Sequence, residues 1–228
     1  MNRDSNTYTI VYAGVMVILV ALVLAFTSQS LRQTQQKNED IDKMMQILRS
    51  VRVQATAADA EAKYNELIKE AYLVNAEGQK VDGDAFTTDV AKAFFDHKPL
   101  PVFVADIDGQ TKYILALRGN GLWGPIWGYI SLDDNKDTVY GADFSHQGET
   151  PGLGAEIVKP EFSHEFYNKN IFNSAGEFKS IAVVKPGKTA EGQDYVDGIS
   201  GGTITSQGVN QMLYDSLSGY LKFLTAKN

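Results

Sequence analysis

Between Asp4 and Arg32 the chain carries no charged residue, and within that window residues 10–26, IVYAGVMVILVALVLAF, are almost wholly apolar. A run of about 17 to 20 such residues crosses the hydrocarbon core of a bilayer as a helix, at about 1.5 Å per residue. A cleaved signal peptide fits less well. The apolar core is long for one, no strongly basic segment precedes it, and no clean A-x-A site follows. The expectation is an uncleaved membrane anchor at about residues 8–28, inside an N-terminal segment 1–30. Its orientation stays open, because Arg3 and the amino terminus lie on one side while Arg32 and Lys37 lie on the other.

The remainder suits one ordinary domain. With a formal net charge of -7 the chain is a poor nucleic-acid partner, since that binding rests on basic surface meeting phosphates. The absence of cysteine removes disulfides, thiolate metal sites and cysteine nucleophiles from consideration. It also suits an oxidising compartment outside the cytoplasm.

After the anchor, LRQTQQKNEDIDK is polar and free of Gly and Pro, and reads as a helical stalk. Ile41, Met44, Met45 and Leu48 follow helical spacing. Thr56 and Asp59 have capping-box spacing before a second amphipathic stretch, with Tyr64, Leu67, Ile68, Ala71 and Tyr72 on one face. Residues 31–75 are therefore assigned to the stalk and the entry into a domain spanning 76–228. From about Val102 the period changes to two. Two β-rich runs flank Asp108-Gly109, a hairpin signal, and further strands are expected in the runs leading to SLDDNKD, in TVYGADFS and in SIAVVK. Pro160 opens a short helix candidate, and a last helix is expected from about Ser206, with Val209, Met212, Leu213, Leu217, Tyr220, Leu221 and Leu224 on one face. The soluble part is expected to be α+β, an antiparallel sheet flanked by helices.

Three Gly-rich segments stand out: residues 119–125 (GNGLWGP), 146–156 (HQGETPGLGAE) and 197–206 (DGISGGTITS). Glycine permits positive φ and close backbone approach, though such clusters often only make turns. The third segment has more content. Two glycines and several hydroxyls precede a strongly periodic helix, and free N–H groups with the positive end of the helix dipole favour an anion there. It lacks the lysine of a Walker A loop and is no Rossmann fingerprint, so a phosphate site and a plain N-cap turn both remain open. His97, His146 and His164 show no metal-site spacing.

The run Asp197-Gly198-Ile199-Ser200-Gly201-Gly202-Thr203 resembles the flavinylation motif of the FMN-binding-domain family, D-x-x-[ST]-G-A-T. The resemblance implies that Thr203 carries FMN as a phosphoester, attached by a flavin transferase that uses FAD and Mg²⁺ and releases AMP. Gly202 stands where that family usually has Ala. Nearly end to end, the chain is similar to the C subunits of Na⁺-translocating NADH:quinone reductases. The anchor, the stalk, DIDKMMQIL, GLWG, HQGETPGLGAEI and the Thr203 motif carry the likeness. The G subunits of RNF complexes share the last two motifs.

The resemblance also implies that Glu149, Thr150 and Leu153 line the flavin ring, beside the phosphate-side residues Ser200, Gly201 and Gly202. Trp123 is a candidate to stack near the ring, against the plainer reading of a core tryptophan. Lys185, before Pro186-Gly187, is a weaker candidate to offer charge to a phosphate. The implied function is a single-electron relay in a membrane complex that passes electrons from NADH to ubiquinone and exports Na⁺, with the other subunits as partners. The soluble domain would face the periplasm from the inner membrane. Two other classes compete: a free-standing extracytoplasmic flavin reductase, for which no catalytic domain follows Ser206, and a flavin-free membrane-anchored scaffold.

Overall fold

The computed structural model describes residues 6–226. Residues 1–5 of the expected anchor segment, Arg3 included, and residues 227–228 of the expected domain lie outside the described residues. The chain divides into two compact units, Met1–Lys43 and Met44–Asn228.

Anchor and stalk form one helix, α1 (Asn6–Ser50). No proline or glycine interrupts the polar stalk, and Leu, Arg, Gln, Lys and Glu make up most of it. Its most apolar 18 residues have a mean hydropathy of 2.7, and none is buried against protein. That separates it from the core helix of a soluble domain and suits a bilayer as its solvent. The last turn belongs to the second unit, where Ile47 and Leu48 are buried and Arg49 forks onto Asp143.

The next helix, α2 (Ala60–Leu67), has Asp59 and not Thr56 at its N-cap: the Asp59 carboxylate accepts from the backbone N–H and the hydroxyl of Thr56, one half of the expected capping box, and no side chain caps the helix. It stops earlier than its periodicity suggests. Ile68–Val74 is a strand, β1, so Ile68, Ala71 and Tyr72 leave the helix face. The reason is tertiary: this segment pairs along its length with β3 (Leu100–Ile107), and that ladder overrides the local period. A short hairpin partner, β2 (Lys80–Val81), and a helix, α3 (Val90–Phe95, capped by Asp89), come between them.

The hairpin at Asp108-Gly109 is present. It joins β3 to β4 (Gln110–Asn120) through two residues with φ of 53° and 78°, a type I′ turn that matches strand twist. β5 (Pro125–Leu132) and β6 (Val139–His146) continue the meander. The sheet is six-stranded and antiparallel in the order β2-β1-β3-β4-β5-β6. After it come a 3₁₀ turn (Gly154–Val158), α4 (Pro160–His164), a small parallel pair β7 (Ala182–Val184) and β8 (Tyr195–Asp197), then α5 (Thr203–Gly219) and α6 (Leu221–Thr225). The α+β class is as expected.

Alternation along β4 divides the core between the two sheet faces. Leu115 and Leu117 join Val209, Met212, Leu213 and Leu217 of α5, while Ile114 and Ala116 join Ile47, Leu48 and Val51. Helix α5 lies close on the end of β4. A Cβ at Gly119 would stand 2.6 Å from Cβ of Met212, so the strand must offer no side chain there. Nearer the start of the helix, Gly208 approaches the backbone of Asn120 and Gly121, which puts the first half of α5 beside the β4–β5 turn.

Candidate functional site

The three Gly-rich segments converge on one end of the domain, and Glu149 joins them. This residue is 5% exposed. One carboxylate oxygen accepts the backbone N–H of Trp123 at 2.8 Å, in the β4–β5 turn. The other accepts the hydroxyl of Thr205 at 2.5 Å, in the first turn of α5. The Glu149 backbone N–H donates to Nδ1 of His146 at 3.1 Å, which places the imidazole of that residue as an acceptor at the end of β6. Small residues make room for this strut. A Cβ at Gly121 or at Gly154 would stand 2.5 Å from a Glu149 carboxylate oxygen. Glu149 is therefore a buried crosslink between segments, bonded to the backbone of Trp123 and the side chain of Thr205.

The flavinylation-like segment leaves β8 and is tied down at each step. The backbone N–H of Asp197 donates to Glu165 at 2.7 Å, that of Gly198 to the carbonyl of Val184 at 2.7 Å, and that of Ile199 to the hydroxyl of Ser206 at 2.8 Å. Gly201 then turns the chain with φ of +76°, a conformation costly for any residue with a Cβ. Gly202 takes the N-cap position without a side-chain cap, and Thr203 is the first residue of the 17-residue helix. The helix thus begins three residues before the expected Ser206. Ser200, Gly201 and Thr203 are exposed, and Gly202 is buried against the 146–156 segment. The first-turn N–H groups beside the Thr203 hydroxyl have no intrahelical partner, which is how helix starts accept anions.

On one side of Thr203 lies a cleft of about 230 Å³, lined by Val183, Lys185, Lys188, Gly198, Ser206 and Gln207 among others. A second cleft, which shares Gly198 and Ile199 with the first, is lined by Glu156, Glu161, Glu165 and Asp197, while the Gly-rich segments also carry exposed apolar side chains. Leu122, Trp123, Leu153 and Ile204 are 48%, 67%, 43% and 54% exposed. In the unit beginning at Met44 the other large apolar side chains this exposed are Phe95, Val158 and Tyr214, so the Gly-rich segments hold most of this surface. Trp123 is accordingly not a core residue. Leu153 stands against Gly201, where a Cβ would come within 2.7 Å of Cδ2 of the leucine. Thr150 is exposed, and its carbonyl accepts the N–H groups of Leu153 and Ala155. Glu156 accepts from the N–H of Gly152 and pairs with Lys159, and the lysine first, then the amide, holds its carboxyl below the usual range.

An exposed hydroxyl at a helix start, a cleft without a carboxylate lining and an adjoining apolar surface together fit a group with a phosphate at one end and a flat apolar ring at the other, as FMN has. No group of His, Asp or Glu among the described residues is arranged to hold a metal. His97 and His164 are exposed and lie outside this constellation. Sequence patterns assign no role to Thr205, Ile204, Leu122 or Lys188. Their signal is position only, inside or beside the Gly-rich runs.

Comparison with known proteins follows the same segments. Residues 121–218 match the FMN-binding domain family. A crystal structure of the C subunit of the Na(+)-translocating NADH-quinone reductase from Parabacteroides distasonis is 69% identical, covers 87% of this chain and 98% of that one, and superposes with a TM-score of 0.84. The C subunit of the same reductase from Haemophilus ducreyi is 29% identical over 92% of this chain and 88% of its own length. The crystal structure of Shewanella oneidensis NqrC, at 23% identity, covers 82% of this chain and 97% of that one, and its TM-score of 0.69 shows the shared fold.

Proposed function

The chain belongs to the family of C subunits of the Na(+)-translocating NADH-quinone reductases, and on that premise we propose that it carries FMN covalently on Thr203 and relays electrons singly between other redox centres of that complex. The observation that carries the reading is the placement of Thr203. It is exposed as the first residue of a long helix without a side-chain cap and lines a cleft that has no carboxylate in its wall, on segments that also carry the exposed apolar Leu122, Trp123, Leu153 and Ile204.

In the maturation step a flavin transferase, working with FAD and Mg²⁺, joins Oγ of Thr203 to the phosphorus of the FMN half. The pyrophosphate P–O bond breaks, AMP leaves with that oxygen, and the threonine proton is released. Once bound, FMN supplies single-electron redox chemistry. The protein's own residues hold and orient it. Ser200, Gly201 and Gly202 let the backbone approach the phosphate, and first-turn N–H groups face it. Thr150 would offer a hydroxyl to a polar edge of the ring, and the exposed Leu153 and Trp123 would supply apolar cover for it. Glu149 acts through Trp123 and Thr205, keeping the loops that carry these groups in register.

A covalent tether suits a domain whose ring must sit at an exposed surface, because the cofactor cannot diffuse away. Residues 10–26 contain no charge, so the Na⁺ path lies in partner subunits. In this reading α1 anchors the chain in the inner membrane, with the domain on the periplasmic side. Likeness to named C subunits favours this assignment over an RNF G subunit, and the FMN-binding family match disfavours a flavin-free scaffold.

The test is co-expression with a flavin transferase, then a denaturing gel under ultraviolet light beside Thr203→Ala. A fluorescent band lost only in the variant is expected. An unlabelled wild type, with the transferase active on a known target, would turn the assignment toward a scaffold.

A further inference from the structure

The cleft beside Thr203 contains a feature that the flavinylation motif does not account for. β7 ends at Val184, and the next four residues, Lys185-Pro186-Gly187-Lys188, close a turn in which the N–H of Lys188 donates to the carbonyl of Lys185 at 2.9 Å. Pro186 fits the second position by its fixed φ, and Gly187, at φ of +76°, supplies the left-handed third position of a type II turn. The turn sets the two lysines at its two ends, and both line the cleft that Thr203 also lines. The floor is fixed by the bond from Gly198 N–H to the Val184 carbonyl, which ties the turn's strand to the Thr203 segment. No carboxylate is among the lining residues, and neither lysine makes an ion pair among the described residues. In a chain of net charge -7, two cations on a cleft whose lining holds no carboxylate make that cleft locally positive, whereas the cleft that shares Gly198 and Ile199 with it is lined by Glu156, Glu161, Glu165 and Asp197.

We propose that Lys185 and Lys188 form the cationic wall of the flavin-phosphate subsite, binding the phosphate that becomes, or has become, esterified to Thr203. This rests on the reading of Thr203 as the attachment residue. The lysines act as point charges, so the requirement is for positive charge at two turn positions and not for one hydrogen-bond geometry. Electrostatic attraction to the donor's phosphates raises its occupancy beside the threonine hydroxyl, and the same charges balance the anionic diester once the bond is made.

The experiment uses the detergent-solubilised full chain, a purified flavin transferase, FAD and Mg²⁺, with in-gel fluorescence giving the initial labelling rate. The variants are Lys185→Gln, Lys188→Gln, the double Gln variant and the double Arg variant, beside Thr203→Ala. The double Gln variant should label about tenfold more slowly at low salt, the double Arg variant should recover most of the rate, and wild type should lose its advantage as salt rises. The ³¹P resonance of the fully labelled protein separates the two sources of phosphate. A shift in the double Gln variant places the contact in the finished diester. A slower rate with an unmoved resonance places it in the approach of FAD. Equal rates with an unmoved resonance, or a loss that Arg does not restore, overturn the proposal. An unlabelled wild type instead overturns the reading of Thr203. Both lysines are exposed, and an unchanged unfolding midpoint in the Gln variants excludes misfolding as the cause.

Discussion

Glu149 and Thr205 lie 56 residues apart in sequence and are joined by a buried hydrogen bond of 2.5 Å, from the threonine hydroxyl to the glutamate carboxylate. Because the other carboxylate oxygen holds the amide of Trp123, removing this side chain frees the β4–β5 turn and the first turn of α5 at once. Glu149→Ala would leave a buried hydroxyl and a backbone N–H without their acceptor, at a cost of about 3 kcal/mol. Glu149→Gln keeps the shape and one carbonyl acceptor and should cost about 1 kcal/mol. Urea unfolding followed by fluorescence would measure both. The labelling rate of Glu149→Gln at Thr203 should fall less than its Ala counterpart. Equal stability of Glu149→Ala and wild type would show that the crosslink contributes nothing.

The ion pair between Arg49 and Asp143 fixes the last turn of α1 to β6, with bonds of 2.8 and 3.1 Å. Burial pushes the Asp143 carboxyl above its ordinary 3.8, and Arg49 pulls it back only in part. A carboxyl raised on folding contributes stability below its unfolded pKa and loses it as pH rises through the folded value. Without Arg49 the folded value rises further, so the loss deepens toward neutral pH. Arg49→Ala should cost about 3 kcal/mol at pH 7 and far less at pH 4, where protonation removes the need for a partner. Urea midpoints of wild type and variant at the two pH values test this, and a cost independent of pH would be inconsistent with it.

Tyr220 ends α5 with its ring buried and its hydroxyl placed between two strands. It donates to the carbonyl of Pro101 at 2.9 Å and accepts the N–H of Ala116 at 3.3 Å. Burial pushes its phenol well above the ordinary value of 10, so it stays a neutral donor. Tyr220→Phe keeps the packing and removes both bonds, and should cost about 1.5 kcal/mol. A shift in the thermal midpoint of less than a degree would argue that water replaces the hydroxyl.

What the sequence reveals, and what it hides, follows from where each signal resides. The apolar run of α1, the Asp108-Gly109 hairpin and the face of α5 as far as Leu217 are written in local patterns, and each is legible; the break at Tyr220, which puts Leu221 and Leu224 on α6 and not on the expected single helix, is not. Strand β1 reads as helix because IKEAYLV carries helical spacing, and the partner strand that overrules it begins 26 residues after β1 ends. β8 is three residues long and paired in parallel across a loop, too short to show a period. In the site, Thr203, Trp123, Leu153 and Thr150 are visible through motifs. The structural role of Glu149 is not, because it depends on Thr205 and Trp123 meeting in space. Lys188 is hidden for the same reason: only folding brings its turn beside Thr203.

The two glycines before Thr203 make opposite predictions. Gly201 has φ of +76°, and a Cβ there would stand 2.7 Å from Cδ2 of Leu153. Gly201→Ala should therefore cost about 1 to 2 kcal/mol for the left-handed backbone alone, displace Leu153 and slow labelling of Thr203. Gly202 has an ordinary φ of -104°, and a Cβ there would lie 3.1 Å from Cβ of Ile199 and 3.2 Å from the amide nitrogen of Gly154. Those neighbours need give only a few tenths of an ångström, and alanine also loses less entropy on folding. Gly202→Ala, which restores the residue usual in the FMN-binding family, should stay within about 1 kcal/mol of wild type and label at a similar rate. In-gel fluorescence and urea midpoints of the two variants decide it. Gly202→Ala labelling as poorly as Gly201→Ala would mean that this chain needs the tighter contact between Gly202 and Gly154 to seat the phosphate, and the family alanine would not be interchangeable here.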